Sequence, residues 1–179
     1  MNSQGIIDQS RFLHLRELKS EIARLKADNS ALRDENAQLK AHLDFAILAA
    51  RDLESLAEGG RLVIVDGWNL ILGANRRARD REELERQAQK HLAEHPLDMV
   101  WIVLDGPRFA SRTDGRLRVS YTGGVGGHRA DRFICDFLRM CACRGSASRV
   151  EVRTNDKDFC DKVKQLGGMT CPQQSKLNR

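Results

Sequence analysis

Four aspartates stand where acidic side chains can do chemistry. Asp66 and Asp105 each end a short apolar run, Asp156 comes two residues after another, and Asp131 opens an amphipathic segment. A single aspartate after a strand is more often a turn residue or a helix cap. Four from separate segments mean more if they meet. Two carboxylates about 4 Å apart repel by roughly 4 kcal/mol at an effective dielectric near 20, so a cluster calls for a counter-charge. Oxygen-only ligands suit a hard divalent cation, Mg²⁺ or Mn²⁺. Such a centre performs phosphodiester hydrolysis: one or two ions generate hydroxide, orient the phosphate and neutralise the leaving oxygen, with no protein nucleophile required.

Each aspartate needs an element to hold it. Residues 61–66 (RLVIVD) and 99–105 (MVWIVLD) are apolar runs of the kind buried in a parallel sheet. Residues 80–95 between them read as a helix, which makes a strand-helix-strand unit with a right-handed crossover. Residues 117–121 and 150–154 read as two more strands. The segment 130–141 places Ala130, Phe133, Ile134, Phe137, Leu138 and Cys141 on one helical face. Asp131 lies about 80° from the centre of that face, at the boundary between core and crevice. A helix over 157–166, stopped by Gly167-Gly168, and an edge strand within 168–171 complete the order. The alternation predicts an α/β domain of three layers with a mostly parallel sheet. In such sheets ligands bind where the strands' C-terminal ends open into loops, and Asp66 and Asp105 stand there.

At these residues the chain resembles the NYN domains, a PIN-like family of nucleases. LVIVDGWNLILGA looks like the family's opening strand and DGxN turn. IVLDG, RLRVSYTGGVGGHRADRFICDF and VEVRTNDKDF follow in the family's order. The likeness spans roughly residues 61–166 and is closest to the YacP-like branch of bacterial endoribonucleases. It implies that Asp66, Asp105, Asp131 and Asp156 are metal-binding, catalytic acids. It also implies that Asn69 orders the first turn and contacts metal-bound water or phosphate, with Thr154 and Asn155 in support. Asp136 lies about 140° round the helix from Asp131, and Asp158 is equally well explained as a first-turn residue favoured by the helix dipole. The family's small and basic segment after the last acid is reduced here to GGMTCPQQSKLNR.

The implied substrate is RNA, free or ribosome-associated. Residues 59–179 carry 22 Lys/Arg against 15 Asp/Glu, while residues 1–58 carry 8 against 10, so the excess of basic charge lies with the aspartates. Arg76, Arg77, Arg79 and Arg81 follow the DGWN turn, and Arg108, Arg112, Arg116 and Arg118 are expected around the exit of the second strand, as phosphate contacts. Any one of these is equally well a solvated surface charge. Gly123 to His128 is expected to form a mobile lip, with His128 a candidate proton relay. Trp68 and Tyr121 are candidates for stacking on an unpaired base, against core packing for Trp68.

Ahead of this domain, Leu15, Ile22, Asn29, Asn36 and Leu43 fall at heptad position a, and Leu18, Leu25, Leu32 and Leu39 at d. Leucine at d with branched residues or asparagine at a is the pattern of a parallel two-stranded coil. The flanking pairs Glu21–Lys26, Asp28–Arg33 and Glu35–Lys40 are opposite in sign across such a dimer. The sequence therefore predicts a coiled-coil helix over 1–58 that forms a homodimer through residues 15–53, and a catalytic domain over 59–179. A solitary helix packed on its own domain is the alternative. Five cysteines, with no export signal and no long apolar run, point to a cytoplasmic protein with reduced thiols and no membrane contact. A non-catalytic RNA-binding or adaptor dimer of the same fold is the competing function, and a phosphatase a third.

Overall fold

The computed structural model describes residues 3–72, 78–124 and 127–171, with side chains from Phe12 onward. Helix α1 (Ser3–Ser55) leads into strand β1 (Leu62–Asp66), then α2 (Gly67–Leu72), α3 (Arg81–Glu94), β2 (Met99–Leu104), β3 (Phe109–Asp114) and β4 (Leu117–Thr122). The chain goes on through α4 (Arg129–Cys143), β5 (Val150–Arg153), α5 (Lys157–Gln165) and β6 (Met169–Thr170). It divides into two compact units, Met1–Lys40 and Ala41–Arg179. None of the described helices is long and apolar enough to cross a membrane.

The six strands form one sheet in the order β3-β4-β2-β1-β5-β6. Every pairing is parallel except β3 with β4. The exception was not read from the sequence, because β3 buries almost nothing. Its signal was the Asp114-Gly115 pair: Gly115 takes φ +55°, and a left-handed glycine in a two-residue connection is what a tight hairpin requires.

Strand residues alternate between two apolar clusters. Val63, Val65, Val100, Ile102, Leu104, Leu117 and Val119 meet Leu70 and Ile71 of α2 and Leu84, Ala88 and Leu92 of α3. Leu62, Ile64, Trp101, Val103, Val150 and Val152 meet α4, α5 and the end of α1. The period of two in a strand guarantees this partition, and both faces are covered, as the continuous apolar runs require.

The last turns of α1 belong to this core. Phe45, Ala49, Ala50 and Leu53 are buried, and the Phe45 ring lies 4.7 Å from that of Trp101. The Arg118 guanidinium sits 4.9 Å over Phe45 and pairs with Asp52. The expectation of a partner-facing helix to residue 53 is corrected here: those turns are occupied within their own unit. In the unit Met1–Lys40, by contrast, Leu15, Ile22, Leu25, Leu32 and Leu39 are all more than half exposed, and Leu18 is 45% exposed.

Leu53→Ala should therefore cost about 2–5 kcal/mol of stability in urea unfolding, whereas Leu48→Ala, one turn away and 51% exposed, should change it by less than about 0.5 kcal/mol. Equal effects would show that α1 does not belong to the core.

Candidate functional site

The sheet's alternation selects which side chains reach the site. Leu62, Ile64 and Asp66 share one face of β1, and Trp101 and Val103 share the corresponding face of β2, so Asp105, one step beyond β2, continues that row. Thr122 ends β4 and Thr154 follows β5 on the same parity. Asp131 enters from the first turn of α4, and Asp156 is the N-cap of α5.

Gly67 allows β1 to end close against β2. A Cβ there would lie 2.4 Å from Leu104 Cδ2, so a larger residue would push Asp66 away from its neighbours. Asn69, one turn on, ties the loops together: its Oδ1 accepts the Asn155 backbone N–H at 3.1 Å, and its carbonyl accepts from Asn155 Nδ2 at 3.3 Å. Trp68 is 37% exposed and donates Nε1–H to the Asp105 carbonyl at 2.7 Å, so it links the β1 and β2 loops rather than filling the core.

Each carboxylate is held by protein donors. Thr154 Oγ1 donates to Asp66 at 2.8 Å and accepts the Asp156 N–H at 3.2 Å, joining two of the acids through one hydroxyl. Asp105 Oδ1 accepts from Thr122 Oγ1 at 3.1 Å and from the Ala130 N–H at 2.7 Å. Asp156 Oδ1 caps α5 through the Phe159 N–H, at 3.0 Å. Asp131 Oδ2 lies 3.2 Å from Nδ1 of the exposed His128, which adopts a left-handed φ of 59° before α4.

The electrostatics show that these acids feel one another. Asp66 is only 4% exposed, and burial pushes its carboxyl up to about 7. The charges of Asp131 and Asp105 act in the same direction, against the hydrogen bonds from the Thr154 hydroxyl and the Asn69 backbone N–H. Burial likewise raises Asp131; His128 opposes that, while Asp156 and Asp105 add to it. A donor set of four carboxylates matches a hard cation and no other common ion. As the side chains stand, however, no three His, Cys, Asp or Glu residues among those described form a group that would hold a metal ion. Among the described residues no cysteine is in a disulfide, and Cys135, Cys141 and Cys160 are buried.

The arginines divide. Arg116 donates to the carbonyls of Leu92, His95 and Asp98. Because β4 runs parallel to β2, with Val100 opposite Leu117, Arg116 lies at the strands' N-terminal edge and not at the exit of β2. Arg118 is engaged by Asp52, Arg112 by Glu85, and Arg81 by Glu85 and the Tyr121 hydroxyl. Arg108 is exposed just beyond Asp105. Arg76 and Arg77 lie outside the described residues, as does the middle of the glycine-rich lip. Asp136 is exposed and pairs with Arg139 at 2.5 Å, and Asp158 is exposed in the first turn of α5.

No family model, curated protein or solved structure matches the chain.

The state of Asp66 fixes a sign for stability against pH. Its folded-state value lies above the ordinary carboxylate value of 3.8, so between the two the folded chain keeps a proton that the unfolded chain has released. Stability must therefore fall as pH rises from about 4 through about 7. In metal-free urea unfolding, Asp66→Asn should flatten this slope and gain on the order of a few kcal/mol over the wild type at pH 8. An asparagine variant that gains nothing between pH 5 and pH 8 would show that Asp66 is not crowded.

Proposed function

We propose that the chain is a divalent-metal-dependent endoribonuclease, of the NYN/PIN-like class that its sequence resembles, with a catalytic domain layered as helices, sheet and helices. The observation that carries this reading is Asp66: a buried carboxyl, pushed up to about 7 in part by the charges of Asp131 and Asp105, at the C-terminal edge of a parallel sheet. Strongly perturbed acids in a crevice mark functional sites more often than structural ones. Asp66, Asp105, Asp131 and Asp156 would hold the Mg²⁺ or Mn²⁺. When bound, that ion supplies an activated water and neutralises charge at the phosphate.

The remaining work falls to the chain itself. Thr154 and the Asn69 amide orient the Asp66 carboxylate, and Thr122 and the Ala130 N–H orient Asp105. His128 has Nδ1 engaged by Asp131, which leaves Nε2 to exchange a proton with a substrate. Arg108, exposed and three residues after Asp105, would contact a backbone phosphate, as would Arg76 and Arg77, which lie outside the described residues. Binding through these cations should weaken with salt.

A second function, a non-catalytic RNA-binding adaptor, is favoured by one observation: no three-ligand group stands preformed among the described residues. The two are separated by incubating labelled single-stranded RNA with Mn²⁺. Cleavage that stops with EDTA and falls at least about 100-fold in Asp66→Asn supports the enzyme. RNA binding indifferent to EDTA, without cleavage, supports the adaptor.

The exposed stripe from Leu15 to Leu39 supports a parallel coiled-coil homodimer, because leaving these side chains in water forgoes about 1.5–3 kcal/mol each. Asn29 and Asn36 at a, with oppositely charged flanks, favour in-register pairing. A cytoplasmic location, expected from the sequence, belongs to the same reading. In sedimentation equilibrium the wild type should behave as a dimer and Leu25→Asp/Leu32→Asp as a monomer; a monomeric wild type at tens of micromolar overturns the coil.

A further inference from the structure

One side chain of helix α1, His42, is linked to Asp105 through Thr122. The ring of His42 lies between those of Phe109 and Phe133, with centroids 5.0 Å and 5.1 Å away. Its Nε2 is hydrogen-bonded to the backbone carbonyl of Thr122, the last residue of β4. A carbonyl only accepts, so Nε2 carries the proton. Burial is the largest influence on the ring and lowers its basicity; the Thr122 carbonyl opposes that and the Arg129 charge adds to it.

Thr122 is 1% exposed and is gripped at both of its polar groups. Its carbonyl accepts the hydrogen bond from His42 Nε2–H, and its hydroxyl donates to Asp105 Oδ1. Just beyond it, Gly123 takes φ +74°, where a Cβ would lie 2.6 Å from the Phe109 amide nitrogen. The chain thus leaves the strand in a turn with no room to relax sideways. Loss of the His42 bond would leave a buried carbonyl without that donor, and the residue free to re-orient is the one that aims Asp105.

We propose that His42 is a positioning residue of the carboxylate site: the chain His42 Nε2–H to Thr122 carbonyl, then Thr122 hydroxyl to Asp105, makes the base of α1 part of the site. The inference rests on the proposed metal-binding role of Asp105 for its functional meaning, but not for its geometry. Partners that orient a ligand through a second hydrogen bond commonly change metal affinity or activity by about 10- to 100-fold when removed.

The experiment compares His42→Leu, which keeps a ring-sized apolar group, with His42→Gln, whose amide retains a donor, and with Thr122→Val, which breaks the second link while sparing the carbonyl. The full-length chain is used throughout. In metal-free protein, the ¹³C resonance of the Asp105 carboxyl should move in His42→Leu and Thr122→Val, and return toward the wild-type position in His42→Gln. Mn²⁺ affinity should fall about 10- to 100-fold in the first two, with cleavage losing kcat more than it gains in KM. An unchanged Asp105 resonance and Mn²⁺ affinity in folded His42→Leu overturns the proposal. If His42→Leu does not fold, the same readings on His42→Gln and Thr122→Val decide it. Because the resonance needs neither metal nor RNA, a protein that binds no Mn²⁺ but shows the shift and its rescue would sink the nuclease reading and leave the positioning role standing.

Discussion

The structure depends on the burial of one acid, Asp66, at the end of a strand whose every residue is buried. Removing a carboxylate from water is expensive, and placing others within its field is more so. The chain meets that cost with directed donors: the Thr154 hydroxyl, the Asn69 amide, and the Asn69–Asn155 bonds that keep the β5–α5 loop in place. Gly67 serves the same end, since a side chain at that position would overlap Leu104. On the proposed function, a bound cation would relieve the burial and crowding that raise Asp66.

The donors also explain why the four acids interact without forming a ready-made ligand group. Each is turned toward the protein by at least one hydrogen bond, two of them to backbone amides at the first turns of α4 and α5. Those turns carry partial positive charge of their own, so the helices compensate some of the negative charge that a cation would neutralise. The resting arrangement therefore exchanges full convergence for stability. On the proposed function, a cation would have to compete with these bonds, and its affinity would depend on residues such as Thr122 and Thr154 that carry no charge.

Much of this was legible in the sequence because it follows from short-range rules. Apolar runs of five or six residues mark parallel strands, and the face of α4 reads directly from Ala130, Phe133, Ile134, Phe137, Leu138 and Cys141, all of which are buried in one cluster. That Asp66 and Asp105 lie on one side follows from the parity of the strands. What local rules do not contain is the direction of a neighbouring strand. Arg116 and Arg118 are close in sequence to the glycine-rich lip, but β4 runs parallel to β2, so its first residues lie at the far edge and its last, Thr122, at the site. His42 was illegible for a related reason: eighty residues separate it from its acceptor, and nothing in its surroundings distinguishes it from other helical surface residues.

Helix α1 shows how a regular pattern hides a change of role. From Leu15 to Leu43 the apolar residues keep a spacing of three and four, which makes a stripe one side chain wide. From His42 the relevant set becomes Phe45, Ala49, Ala50 and Leu53, which includes two adjacent residues and so a broader face. A narrow stripe matches another helix, while a broad face with small residues at Ala49 and Ala50 matches a sheet that approaches closely. The two patterns overlap for only a few residues, and extending the heptad rule past that overlap carries the pairing surface into the core. The alanines are the distinguishing feature: a coil that needed leucine at every inward position would lose packing there, whereas Ala49 and Ala50 are buried in the same apolar cluster as Trp101 and Phe133. The helix therefore carries an exposed apolar stripe in the unit Met1–Lys40 and a buried apolar face after it, because the width of its apolar face changes between the two.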